Sequence, residues 1–139
     1  GIYETALSPG ELLVAVEVPV ASPGSTFFFQ EYARRHGDYA IVGLAAHAVV
    51  EAGQFADLRL GFFAVSDRPV LASAAGKLIN ASIMPALLRE AETSLADELD
   101  PQEDQQATAA MRRYLATVLL RRCVATLLAR DELQAGVAK

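Results

Sequence analysis

Apolar and polar residues alternate with period two through the first half of the chain and take helical spacing in the second. Leu12, Val14, Val16 and Val18 share one face of a predicted strand that Pro19 ends. Ser22-Pro23-Gly24-Ser25 reads as a turn. Thr26 to Tyr32, with three consecutive phenylalanines, is a second strand, and Tyr39 to Glu51 a third. One face of the third is wholly apolar (Val42, Leu44, Ala46, Ala48, Val50), and the other holds Ile41, Gly43, Ala45, His47 and Val49. Ala52-Gly53-Gln54 turns the chain, and Phe55 to Val65 returns as a fourth strand, which makes a hairpin of strands three and four.

Beyond Pro69 the period changes. Helices are predicted from Val70 to about Ile79, from about Met84 to Ala96, and from about Thr108 to Arg130. Asp100-Pro101-Gln102-Glu103 has the spacing of a capping box. In the last helix Met111, Tyr114, Leu115, Val118 and Leu119 lie on one side. Cys123, Val124, Leu127 and Leu128 then spread around the axis, as in a helix buried on several sides. Strands followed by helices define an α+β domain: an antiparallel sheet of three to four strands packed with a small cluster of about three helices.

A chain of 139 residues suits a single domain, 1–139, with one core. Hydrophobic residues make up 53% of it, which points to a surface that meets a partner. The longest nearly uncharged stretch, Tyr39 to Val50, is too short to span a membrane. A formal net charge of −5 argues against a nucleic-acid face. Cys123 is the single cysteine, so there is no internal disulfide, and a reducing cytoplasm fits. No positively charged start leads into an apolar signal core, so export is not expected. The start, Gly1-Ile2-Tyr3, reads as the cut edge of a longer protein.

The chain carries no glycine-rich phosphate loop, no histidine pair at metal-ligand spacing and no strained nucleophile turn. His47 reads as a half-buried histidine with one hydrogen bond, and Cys123 as a small buried hydrophobe. Arg112, Arg113, Arg121, Arg122 and Arg130 read as a solvated helix face, with Arg113 and Arg122 able to meet a partner's carboxylates. Two loops offer more. In Arg34-Arg35-His36-Gly37-Asp38-Tyr39, charge stops abruptly at an apolar strand. This is either an ordinary connection or a loop presenting an aromatic plane and fixed polar groups to a flat ligand. Ser66-Asp67-Arg68, after strand four, is either a helix cap or a second wall of the same site.

Three stretches, in order, carry a family resemblance. They are Thr5-Ala6-Leu7-Ser8-Pro9-Gly10-Glu11-Leu12-Leu13, then Phe29-Gln30-Glu31-Tyr32-Ala33-Arg34-Arg35-His36-Gly37-Asp38-Tyr39-Ala40, then Ala107-Thr108-Ala109-Ala110-Met111-Arg112-Arg113-Tyr114-Leu115 with Leu119-Leu120-Arg121-Arg122. With Asp67-Arg68-Pro69 between them, the chain resembles the C-terminal domain of the FAD-binding (medium) subunit of molybdenum hydroxylases, the carbon monoxide dehydrogenase and xanthine dehydrogenase family. The resemblance implies that N-terminal FAD-binding domains precede this one and hold most of the FAD. It implies partner subunits, a small one with 2Fe-2S clusters and a large one with molybdopterin, and electron transfer through FAD to an external acceptor. It implies that the domain alone is inactive as an oxidoreductase. Matched by position, Tyr39 would cover a flavin face and Asp38 would meet its polar edge or orient the loop. Arg34 and Arg35 match nearby basic residues, and Ser66, Asp67 and Arg68 match a loop that influences the acceptor. The alternatives are a subunit-assembly module that touches no cofactor and a stand-alone binder of small ligands.

Overall fold

The period-two segments after residue 24 pair into one sheet. The computed structural model describes residues 4–137, with side chains through residue 131. Strands β1 (Ser25–Tyr32), β2 (Val42–Glu51), β3 (Gln54–Phe63) and β4 (Val70–Leu71) form an antiparallel sheet in the order β1-β2-β3-β4. The predicted hairpin is β2–β3. Its two-residue turn puts Ala52 at φ 50° and Gly53 at φ 75°, the left-handed geometry that matches the twist of paired strands. A bulge at Val49/Val50 shifts the register, so Phe55 and Leu58, three residues apart, are both buried.

Of helices α1 (Pro85–Glu98) and α2 (Ala109–Val137), α2 covers one face of the sheet, and α1 packs against α2 and the 3-10 turn at Ser73–Lys77. Pro85 starts α1, where its missing N–H costs nothing. Thr108 caps α2 by accepting a hydrogen bond from the Met111 N–H at 3.2 Å. The core joins Val42, Leu44, Ala46 and Ala48 of β2 and Phe55, Leu58, Leu60 and Phe62 of β3 to Leu119, Leu120, Cys123 and Leu127 of α2. Each fully buried leucine here contributes roughly 1.5–3 kcal/mol relative to exposure. The fold is therefore α+β, as expected, with two α-helices and one 3-10 turn among the described residues.

Four local expectations are corrected. The segment from Leu12 to Val18 has no strand partner among the described residues, and Val14 and Val20 are 90% and 95% exposed. Its alternation is real, but a strand needs a neighbouring edge. Val70 to Ile79 is not an α-helix: Val70–Leu71 pairs with Phe62 and Gly61, and Ser73–Lys77 is a 3-10 turn. The box at Asp100 starts no helix, since α2 begins only at Ala109, behind Thr108. The buried stripe of α2 is Arg112, Ala116, Leu119, Leu120, Cys123 and Leu127, while Met111 and Tyr114 are exposed.

Candidate functional site

Sheet topology brings the two charged loops to one end. β1 leaves the sheet at Tyr32, β2 enters at Val42, and Gly43 pairs with Phe63 at the end of β3. Ala33 to Ala40 and Ala64 to Pro69 therefore emerge side by side. The Ile41 N–H donates to the Tyr32 carbonyl at 2.7 Å and closes the base of the first loop. Within it the Asp38 N–H donates to the Arg35 carbonyl at 3.2 Å, with Gly37 at φ 82°. That turn needs a left-handed residue at its third position, which glycine supplies without strain.

The turn presents the predicted groups outward. Tyr39 is 87% exposed, and its N–H donates to its neighbour Asp38 Oδ1 at 2.9 Å. Arg35 is exposed beside them. Arg34 behaves differently. Its guanidinium reaches the carbonyls of Gln105 and Gln106 at 2.9 and 3.2 Å, so it anchors the loop to the connection before α2.

The second loop starts from fully buried Val65. Ser66 Oγ donates to Asp67 Oδ1 at 3.1 Å, and Arg68 Nε lies 3.9 Å from the same oxygen. Asp67 and Arg68 are exposed and Ser66 is half-buried. No helix follows for Ser66 or Asp67 to cap, because the chain goes on into β4.

Two contributors at this end were missed from sequence. Arg112, taken for a solvated side chain, is 5% exposed. It donates to the carbonyls of Ile41 and of Ala64 (3.2 Å) and to Asp104 Oδ2 at 2.6 Å. Asp104 Oδ1 also accepts the N–H groups of Gln106 and Ala107 at 2.8 and 3.0 Å. The Ala107 and Gln106 amides, then the Arg112 guanidinium, hold the Asp104 carboxyl below the usual carboxylate range. The signal for Arg112 was its register: it sits on the helical stripe of Ala116, Leu119 and Cys123.

The other helix arginines stay at the surface but each meets a group of this chain. Arg113 donates to the Leu99 carbonyl, Arg121 pairs with buried Glu92, Arg122 lies over the Tyr32 ring, and Arg130 donates to the Phe27 carbonyl. The solvated face expected on α2 holds at Arg121, Arg122 and Arg130, which are exposed, and fails at Arg112. His47 matches its expectation and adds to it: Nε2 lies 3.1 Å from Ser25 Oγ and Nδ1 3.4 Å from Asp57 Oδ2. Cys123 is a buried hydrophobe as predicted, and burial pushes its thiol up to about 12. No group of three metal-ligating side chains occurs among the described residues. No helix among them is long and apolar enough to cross a membrane.

At one end of the sheet, one loop presents an exposed phenol beside a carboxylate, and the other a hydroxyl, a carboxylate and a guanidinium. Such groups suit the edge and face of a planar, polar heterocycle. An isoalloxazine needs an aromatic or apolar cover and hydrogen-bond partners at its polar rim, and these groups have that chemistry. A pyrophosphate needs a glycine-rich cradle, which this sequence lacks.

Comparison with known proteins agrees with this architecture. The CO dehydrogenase flavoprotein C-terminal domain family matches residues 27–127. The chain belongs to that family. Among individual relatives, it is 31% identical over 125 residues to the carbon monoxide dehydrogenase medium chain of Afipia carboxidovorans, covering 89% of this chain and 43% of that one. It is 27% identical over 120 residues to the glyceraldehyde dehydrogenase medium chain of Sulfolobus acidocaldarius, covering 86% and 42%. The solved structure of reconstituted CO dehydrogenase from Oligotropha carboxidovorans superposes with a TM-score of 0.85 at 30% identity, covering 92% of this chain and 45% of that one. The chain thus spans less than half the length of the curated relatives it matches.

Proposed function

We propose that this domain forms the flavin-facing wall of the medium subunit of a molybdenum hydroxylase. The observation that carries the proposal is the convergence at one sheet end of the Asp38-Tyr39 turn and the Ser66-Asp67-Arg68 loop, both fixed from behind by α2. Family membership supplies the flavoprotein context. Tyr39 covers one face of the isoalloxazine and keeps water from it. Asp38 accepts a hydrogen bond at the polar rim or holds the loop in place. Ser66, Asp67 and Arg68 shape the approach of the electron acceptor, and Arg35 adds positive charge nearby. Bound FAD would take electrons from the 2Fe-2S clusters of a small subunit, fed by a large molybdopterin subunit, and pass them to an external acceptor. The protein's part is to set the electrostatics and exposure of the ring. Most FAD contacts, including those to the phosphates, belong to N-terminal FAD-binding domains, and the complex acts in the cytoplasm.

A second reading, a subunit-assembly module, draws on exposed Phe27 and Phe29 on the uncovered sheet face. It gains little from α2. Leu127 is fully buried in this domain's own core, and the arginines bond within the chain. Substituting Tyr39→Ala in the complete FAD-binding subunit separates the two. A flavin-facing wall predicts a changed flavin absorption band and a changed reoxidation rate per bound flavin. An assembly module predicts that neither moves.

A further inference from the structure

The two candidate loops come from different strand ends, and no backbone pairing joins Ala33–Ala40 to Ala64–Pro69 directly. One side chain does. A single terminal nitrogen of Arg112 donates to the carbonyl of Ile41, two residues after Tyr39, and to that of Ala64, two residues before Ser66. These partners lie 71 and 48 residues away in sequence. Ala64 has φ 60°, a left-handed conformation that is strained for alanine and aims its carbonyl at the guanidinium. The other terminal nitrogen is held by Asp104, in the same connection whose Gln105 and Gln106 carbonyls hold Arg34. Arg112 Nε is buried without a hydrogen-bond partner. The guanidinium is therefore oriented by the two loops and Asp104, at the expense of its own third donor.

We infer that Arg112 is a positioning residue that sets the spacing and orientation of the Tyr39 and Ser66–Arg68 loops against the flavin. The inference rests on the flavin-facing reading above. Its physical basis is the planar fork of arginine, which serves two carbonyls and a carboxylate from fixed directions. A lysine keeps the charge but cannot hold all three. A shift of either loop would misplace the groups around the ring, and small displacements of positioned groups are costly in rate.

The test uses the complete, FAD-loaded complex with Arg112→Lys, Asp104→Asn, Tyr39→Ala and, as a control on the same helix, Arg113→Lys. Two readouts are taken: hydrogen exchange of the peptides over residues 33–41 and 64–69, and the flavin's absorption band and reoxidation rate per bound flavin. Arg112→Lys is expected to speed exchange in both loops together by several-fold. It is also expected to shift the band and slow reoxidation by about tenfold, equivalent to ~1.4 kcal/mol of lost positioning. Asp104→Asn, which alters only an exposed anchor, moves the same readouts less and in the same direction. Arg113→Lys moves none. Unchanged exchange in the two loops with Arg112→Lys and Asp104→Asn overturns the inference. So does loss of bound FAD or of assembly with an unchanged reoxidation rate per remaining flavin, which marks a purely structural role. If Tyr39→Ala leaves the flavin unaltered, it is the flavin-facing reading that fails, and the exchange data still report whether Arg112 couples the loops.

Discussion

Gly43→Ala adds one methyl group where β2 enters the sheet beside the candidate site. An added Cβ would fall 2.0 Å from Cζ of Phe63, and 2.3 and 2.5 Å from its two Cε atoms. Ordinary carbon contacts lie at about 3.5–4.0 Å, so the ring must move by roughly 1.5 Å or more. Phe63 stacks on Phe29 at a centroid distance of 5.9 Å and an interplanar angle of 16°, on the sheet face away from the helices. Swinging the ring loses that stacking, worth about 0.5–1.5 kcal/mol, and strains its rotamer by a similar ~0.5–1.5 kcal/mol. Alanine's smaller conformational entropy cost in a strand offsets about 0.5–1 kcal/mol. The net expectation is a loss of about 1 kcal/mol. With a slope near ~2 kcal/mol per molar, the urea midpoint should fall by about 0.5 M. The cost should disappear when Gly43→Ala is made in a Phe63→Ala background, since the obstructing ring is gone. A midpoint at or above wild type, or an equal loss with and without the ring, refutes the reasoning.

Two further predictions concern ionisable groups. The Cys123 thiol should resist a disulfide exchange reagent in the native protein near neutral pH and react stoichiometrically after unfolding, because burial suppresses the thiolate; prompt labelling of folded protein contradicts its place in the core. The Asp104 carboxyl is lowered in the folded state, so its stabilising contribution is full above the unfolded value of 3.8 and is lost as the pH falls through the folded value. The stability gap between wild type and Asp104→Asn, from urea unfolding at several pH values, should therefore narrow on acidification; a gap that stays constant or widens as the pH falls rules this out.

The parts of the fold legible in sequence were those where local pattern and tertiary partner agree. The Ala52-Gly53 turn joins two strands whose apolar faces meet the same helix, so alternation and turn chemistry both pointed to the hairpin. Val70 to Ile79 misled because an apolar run of Val70, Leu71, Ala72, Ala75 and Leu78 satisfies helical spacing. What decided the outcome was an open edge of β3 at Gly61 and Phe62, which propensity does not see. Leu12 to Val18 shows the converse: alternation reports that one side is to be covered, and is silent on the partner. At the site, exposed Asp38, Tyr39, Asp67 and Arg68 were visible as loop chemistry. The anchoring roles of Arg34 and Arg112 were not, since each spends its charge on backbone carbonyls about seventy residues away. Charge on a helix reads as solvated unless its register is checked against the apolar stripe, and Arg112 lies on that stripe.

The central claim, that this domain walls the flavin of a molybdenum hydroxylase, is tested most directly by the visible absorption spectrum of the native polypeptide that carries it, purified with whatever accompanies it. The account predicts flavin bands over a broad iron–sulfur background. A colourless protein of about this domain's size would contradict it and leave a module for assembly or binding.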